Sequence, residues 1–346
     1  MPTRPSRPAR RSFAVIAAAS LLLAACAGNG GDEGTSQPSD DAAALVDGTE
    51  LSVAIASFDL AVGDDQRLLA GVFSPERQLL GFGEVGFQLG YLGEDAGGET
   101  EIDQSVTADF LAVPGREPEG EATTPTLIDD PAGQGVYAAQ VDFDQAGMWG
   151  LRVVAELDDG TVVEGQTTFL VGEDREVVDI GEQAPRSQNA TIADVEAGDV
   201  EAVAVDSRAQ GDGAEIPAPH LHDKTVADSL DAERPVVVAI TTPVYCVSQF
   251  CGPLTDVLAD VALEYEDRAD IIHLEVWEDF EEQQLNTSAA EWIQTEMGGN
   301  EPWVFLVDGD GTILDRWDNV LDLDELRAAL TELPSIGVNT ASAELD

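Results

Sequence analysis

The stretch from Arg234 to Leu258, RPVVVAITTPVYCVSQFCGPLTDVL, constrains the chain most. Its β-branched run from Val236 to Thr242 reads as a fully buried strand, because such residues fit a pleated surface covered on both faces. Pro243 follows, then Cys246 and Cys251 with four residues between them, then Gly252 and Pro253. Leu254, Val257, Leu258, Val261, Ala262 and Tyr265 recur at helical spacing. Strand, cysteine pair and amphipathic helix in that order set thiols at a helix N-terminus. Free N–H groups and the macrodipole favour a thiolate there.

The spacing limits how the pair can close. Residues five apart on a continuous helix are turned by about 140° and separated by a rise of about 7.5 Å. Their Cα atoms are then too far apart for a disulfide. Either Cys246 lies in the loop ahead of the helix, or the helix unwinds on oxidation. Pro253 favours the loop, since proline is comfortable in a helix's first turn. The helix is then expected to begin near Gly252.

The N-terminus sets the compartment. Residues 1–25 carry Arg4, Arg7, Arg10 and Arg11 and then an apolar run from Phe13 to Ala25. This reads as a secretory signal, too short for a permanent span. The end of the run, Leu23-Ala24-Ala25-Cys26, resembles the bacterial lipobox. The resemblance implies cleavage before Cys26, lipidation of its sulfur, and an extracytoplasmic protein anchored to the cell membrane by lipid. Residues 26–49 are rich in Gly, Ser, Asp and Ala and read as a flexible tether. In an oxidising compartment the two remaining cysteines form a disulfide or a redox couple.

The 346 residues suffice for about two domains. With 68 acidic residues against 16 basic ones, the net charge is −52. Nucleic acid is therefore not an expected partner, because it needs basic patches. Such acidity suits a salty medium, where screening tolerates dense carboxylates, or reflects a compositional habit.

Residues 50–171 read as all-β, with short alternating runs punctuated by turns such as Asp158-Asp159-Gly160. The segment Ala146–Val153, with Trp149 as a core residue, resembles a strand of immunoglobulin-like sandwiches in bacterial surface proteins. Residues 94–132 read as a long loop, and 172–215 as linker and lead-in. Residues 216–333 alternate in the order β-α-β-α-β-β-α, which implies a mixed sheet with helices on both faces. Residues 334–346 read as a tail. The expected fold is thus two-domain: an N-terminal immunoglobulin-like sandwich and a C-terminal α/β domain.

That C-terminal third resembles the thioredoxin-like superfamily. Val236–Ala239 stands where the strand before the redox motif stands, and Cys246 and Cys251 where the cysteine pair stands. Glu301-Pro302 stands at the cis-proline, and Val304–Gly311 at the closing hairpin. The resemblance implies a thiol–disulfide oxidoreductase acting on thiols or disulfides of exported proteins, with Cys246, Cys251 and Pro302 as its site and no resident cofactor. Position after the strand makes Cys246 the nucleophile, and Cys251, on the apolar face of the coming helix, the resolving thiol. Cys251-Gly252-Pro253 also copies the opening of the C-G-P-C motif, which leaves Cys251 open as the attacker. The spacing C-x-x-x-x-C departs from the family's C-x-x-C.

Three other readings stay open. The same spacing resembles a type of peroxiredoxin, with Arg316 as an activating arginine, although Arg316 also reads as a hairpin residue on a solvated edge. Copper-delivery proteins of this fold pair cysteines with a histidine, which makes His220 and His222 the metal candidates; His273 reads as a plain strand residue. The last is a non-catalytic surface binding lipoprotein in which the disulfide is structural.

Overall fold

The structure is a computed structural model that describes residues 50–94, 102–120, 122–128, 134–211, 213–295 and 299–335. The leader, Cys26, the tether and the tail beyond residue 335 lie outside the described residues.

The first nine strands are β1 (Glu50–Ile55), β2 (Gly63–Phe73), β3 (Leu79–Gly81), β4 (Glu84–Gly93), β5 (Gln104–Ala112), β6 (Thr126–Ile128), β7 (Gly135–Phe143), β8 (Gly147–Glu156) and β9 (Val162–Val171). Seven of them run side by side in the order β1-β9-β8-β4-β5-β7-β2, with β3 and β6 added beyond β2. β1 also pairs antiparallel with β2, from Ser52↔Phe73 to Ile55↔Ala70, while its start pairs in parallel with β9. The sheet thereby closes on itself as a seven-stranded barrel. Alternation fills its interior: on β8, Trp149, Leu151, Val153 and Ala155 are buried while Arg152 and Glu156 are exposed. Phe87, Tyr137, Phe143 and Phe169 join them in one core. Trp149 donates its indole N–H to the Gln145 carbonyl at 3.1 Å, so it is a satisfied core residue.

The immunoglobulin-like sandwich is therefore overturned. A sandwich leaves sheet edges that must be protected, whereas closure abolishes them. Strands of both architectures alternate in the same way, so the pattern cannot distinguish them. The long-loop reading of residues 94–132 is corrected too, since β5 and β6 fall within it.

The remaining elements are α1 (Ile192–Ala197), α2 (Val226–Asp231), β10 (Val236–Thr241), α3 (Cys251–Glu264), β11 (Asp270–Glu275), β12 (Trp277–Asp279), β13 (Gln284–Leu285), α4 (Thr287–Ile293), β14 (Trp303–Val307), β15 (Ile313–Asp318) and α5 (Leu323–Glu332). Four strands form a sheet in the order β11-β10-β14-β15, with β10 and β11 parallel and β14 antiparallel to both its neighbours. Val236, Val238 and Ile240 of β10 pack with Val226 and Leu230 of α2 and Trp292 of α4. Val237 and Ala239 face the other way, against Leu254, Leu258 and Val261 of α3 and Leu326 and Leu330 of α5.

The expected two-domain division with a thioredoxin-like α/β C-terminal fold is overturned as well. The described residues are mostly β and 18% helical. Asp47–Asp346 form one compact unit rather than a sandwich and a separate α/β domain. Side chains bind the parts together. Arg67 of β2 donates to the Val320 carbonyl at 2.7 Å, and Asn319 donates to the Ala56 carbonyl at 2.9 Å. The expected linker is packed in: Val177 and Ala184 join the sheet's core, and Arg175 donates to the Asp59 carbonyl at 2.7 Å. The order of elements along residues 216–333 could not reveal this, because the side chains that join the parts come from segments far apart in sequence.

Candidate functional site at the Cys246–Cys251 disulfide

β10 ends at Thr241, and the chain turns at once. The Cys246 N–H donates to the Thr242 carbonyl at 3.1 Å, and the Gln249 N–H donates to the Cys246 carbonyl at 3.3 Å. Gln249 takes the left-handed conformation, φ +64°, which reverses the chain into α3. Cys251 is the first residue of that helix, one position earlier than the expected start at Gly252, and Pro253 sits in its first turn. Cys246 therefore lies in the loop, and the geometric obstacle to an i, i+5 pair disappears. The two cysteines are disulfide-bonded with Cα atoms 6.0 Å apart, within the usual range.

The two sulfurs have unlike surroundings. Cys251 is fully buried, Cys246 is half-buried, and its neighbour Val247 is 94% exposed. The Ser248 hydroxyl lies 3.2 Å from the Cys246 sulfur and donates to it, since a disulfide sulfur carries no proton. Behind Cys251 runs a buried ladder. Thr255 donates its hydroxyl to the Cys251 carbonyl at 2.8 Å, so the Thr241 hydroxyl, 2.7 Å away, donates to Thr255.

The barrel forms one wall of the site. Phe250 packs against Leu69, Val113, Val136 and Val320. Gly115 adopts φ +75°, and a Cβ there would stand 3.3 Å from Val257 of α3. Pro302 is buried and joined to Glu301 by a cis peptide bond, one residue before the Ile240–Trp303 pair of β10 and β14. Burial pushes the Glu301 carboxyl up to about 7. Glu301 lines a cavity of about 250 Å³ with Trp277, Leu285 and Ile293.

The metal candidates separate. His220 is tied to α3 by a hydrogen bond from Nε2 to the Ala259 carbonyl at 2.9 Å. His222 is buried instead beside Asp206 and His273, with one ligand atom from each within 4.8 Å of the others. His222 Nε2 lies 3.4 Å from Asp206 Oδ2, and His273 Nδ1 lies 4.0 Å from the same oxygen. Among the described residues no such cluster includes a cysteine. Burial opposes ionisation of Asp206, yet His222 and Arg208 hold its carboxyl below the usual range. Burial and the neighbouring His222 push His273 down to about 3. Asp206 escaped the sequence reading and His273 reads there as a plain strand residue, because the three residues come from segments with no shared spacing.

Arg316 is buried rather than on a solvated edge. It is buried in an ion pair with Asp59 and accompanied by the carbonyls of Val177 and Val178. No helix among the described residues is long and apolar enough to cross a membrane. No protein-family model matches the chain, and no curated protein matches it.

Proposed function

We propose that the protein is a lipid-anchored, extracytoplasmic thiol–disulfide oxidoreductase that exchanges disulfides with exported proteins through Cys246 and Cys251. The observation that supports this most is the asymmetry of the pair: a half-buried sulfur in a loop bonded to a buried sulfur at the first residue of a 14-residue helix.

A substrate thiolate attacks the accessible Cys246 sulfur. The Cys246–Cys251 bond breaks, and its electron pair leaves on Cys251, whose thiolate is stabilised by the α3 N-terminus. A second substrate thiolate then attacks the substrate sulfur of the mixed disulfide. This forms the substrate disulfide and releases Cys246 as a thiolate, to which Ser248 donates. In the reverse direction the Cys246 thiolate attacks a substrate disulfide and Cys251 resolves the intermediate. Lipidation at Cys26 would hold this chemistry at the outer face of the cell membrane.

The peroxidase alternative loses support, because Arg316 is committed to Asp59 and to backbone carbonyls. The binding-protein alternative draws on the full burial of Cys251, which suits a structural bond. Measuring the reduction potential of the pair and the turnover of a disulfide substrate separates the two. Cys251→Ser should trap mixed disulfides through Cys246, and Cys246→Ser should not. A potential below about −300 mV with no turnover would assign the bond a structural role.

A further inference from the structure

We infer that Asp206, His222 and His273 form a structural binding site for a divalent transition-metal ion of the zinc class, separate from the cysteine pair. Two of the chain's three histidines meet here, and all three side chains are wholly buried.

The polar atoms are arranged as a ligand set rather than as a hydrogen-bond network. His273 Nε2 is 3.3 Å from the Thr241 carbonyl, which can only accept, so Nε2 carries the proton. Nδ1 is then a bare lone pair, and it faces the Asp206 carboxylate at 4.0 Å without a partner. Two acceptors facing one another in a dry interior repel unless a cation lies between them. His222 presents the same anomaly twice. Its Nε2 is 3.4 Å from Asp206 Oδ2 but misses hydrogen-bond alignment, and neither ring nitrogen makes an aligned hydrogen bond. Buried polar atoms in folded proteins are nearly always satisfied, so two unpaired imidazole nitrogens facing one carboxylate mark a missing partner.

One metal ion satisfies His222 Nε2, His273 Nδ1 and Asp206 Oδ2 together. Donors about 2.0–2.1 Å from a tetrahedral ion lie about 3.3 Å from each other. The two separations from Asp206 Oδ2, 3.4 and 4.0 Å, need only sub-ångström shifts to reach this, and the two imidazole nitrogens lie within 4.8 Å of each other. Two imidazoles and one carboxylate suit zinc and its neighbours rather than calcium or magnesium, which take all-oxygen shells. The outer groups that orient ligands are present as well. The Thr241 carbonyl fixes the His273 tautomer. Arg208 fixes the Asp206 carboxylate, with Nε donating to Oδ1 at 2.9 Å and to Oδ2 at 3.2 Å, and Nη2 donating to Oδ2 at 2.6 Å. Two further carboxylates neighbour these residues: Glu275 accepts from the Ser207 N–H at 2.8 Å, and Asp256 pairs with Arg208. The site is closed to solvent, so it serves to hold the fold. It joins the 206–208 turn, the segment at His222 and β11, and it reaches β10 through Thr241 just ahead of the cysteine loop.

The test uses the full chain, stripped of metal in denaturant with a chelator and refolded with zinc or cobalt(II) in high salt and excess magnesium, which suppresses binding to the acidic surface. One cobalt per chain with tetrahedral d–d bands is expected, and zinc should raise Tm by about 5 °C or more. His222→Gln and His273→Gln should each abolish the bands and the Tm shift, while His220→Gln retains both. Should either variant fail to fold, X-ray absorption of the zinc-refolded wild type decides: two imidazole ligands support the site, and oxygen-only coordination overturns it. The absence of stoichiometric uptake, or bands that persist in both folded variants, also overturns it, and leaves a buried water as the partner of the two rings.

Discussion

Arg316 on β15 donates to Asp59, between β1 and β2, at 2.8 Å, and both side chains are only 6% exposed. The residues are 257 positions apart, so the contact joins the two ends of the fold. The guanidinium also donates to the Val177 and Val178 carbonyls and lies over the Trp303 ring at 5.0 Å. Removing one partner of such a pair strands the other charge in the interior. Arg316→Ala is expected to cost about 3–5 kcal/mol, read by urea unfolding. Wild-type unfolding should be a single transition at Trp149 in the barrel and Trp292 in the sheet core. Two separate wild-type transitions would show that the clasp does not unite the parts.

The unlike burial of the two sulfurs makes a prediction about reactivity. In the reduced protein under native conditions, Cys246 should be alkylated about tenfold or more faster than Cys251, because reaction needs an accessible thiolate. Mass spectrometry of the singly modified species measures this. Predominant labelling of Cys251 would reverse the roles of attacker and resolver.

Thr255 carries the ladder behind Cys251, accepting from Thr241 and donating to the Cys251 carbonyl. Thr255→Val keeps the shape but leaves the buried Thr241 hydroxyl and the Cys251 carbonyl each without this partner. The expected cost is about 1–3 kcal/mol. Thr241→Val added to it should restore part of the loss, since the orphaned donor is then gone. A double variant as unstable as the sum of the singles would argue against direct coupling.

Barrel closure depends on a glycine. At Gly165 of β9, a Cβ would collide with the Leu51 carbonyl at the place where β1 meets β9 in parallel. Gly165→Ala must therefore push the two strands apart, at a cost of about 1–3 kcal/mol. Hydrogen exchange should show faster opening of β1 amides than of β8 amides. Equal protection of β1 in the variant and the wild type would mean that the seam relaxes without opening.

What could be read ahead of the structure was local. An i, i+5 spacing conflicts with helix geometry inside one turn of chain, so Cys246 could be placed in a loop from the sequence. Strand alternation in residues 50–171 was equally legible. Closure was not, because it rests on β1 meeting β2 and β9 at long range, and no strand carries a mark of being the seam. The Arg316–Asp59 clasp and the Asp206–His222–His273 cluster are hidden for the same reason: their members share no period. Arg316 could be judged only by its neighbours in sequence, which suggested an exposed hairpin, whereas its real neighbours come from residues 59, 177 and 178.

Glu301, immediately before Pro302, links the site to pH. Burial raises its carboxyl from 4.5 to about 7. Between those values the folded protein keeps a proton that the unfolded chain has released. Stability therefore falls as pH rises through that window, and the loss is complete above about 7. The difference amounts to a loss on the order of 1–3 kcal/mol, below the full linkage value because the residue is only partly buried. Glu301→Gln removes the titrating group while keeping its size, so the gap in urea midpoint between variant and wild type should widen from pH 4.5 to 7.5. Other carboxylates contribute equally to both proteins and cancel in the comparison. Parallel pH profiles would show that the Glu301 carboxyl is solvated in solution and ionises at its ordinary value.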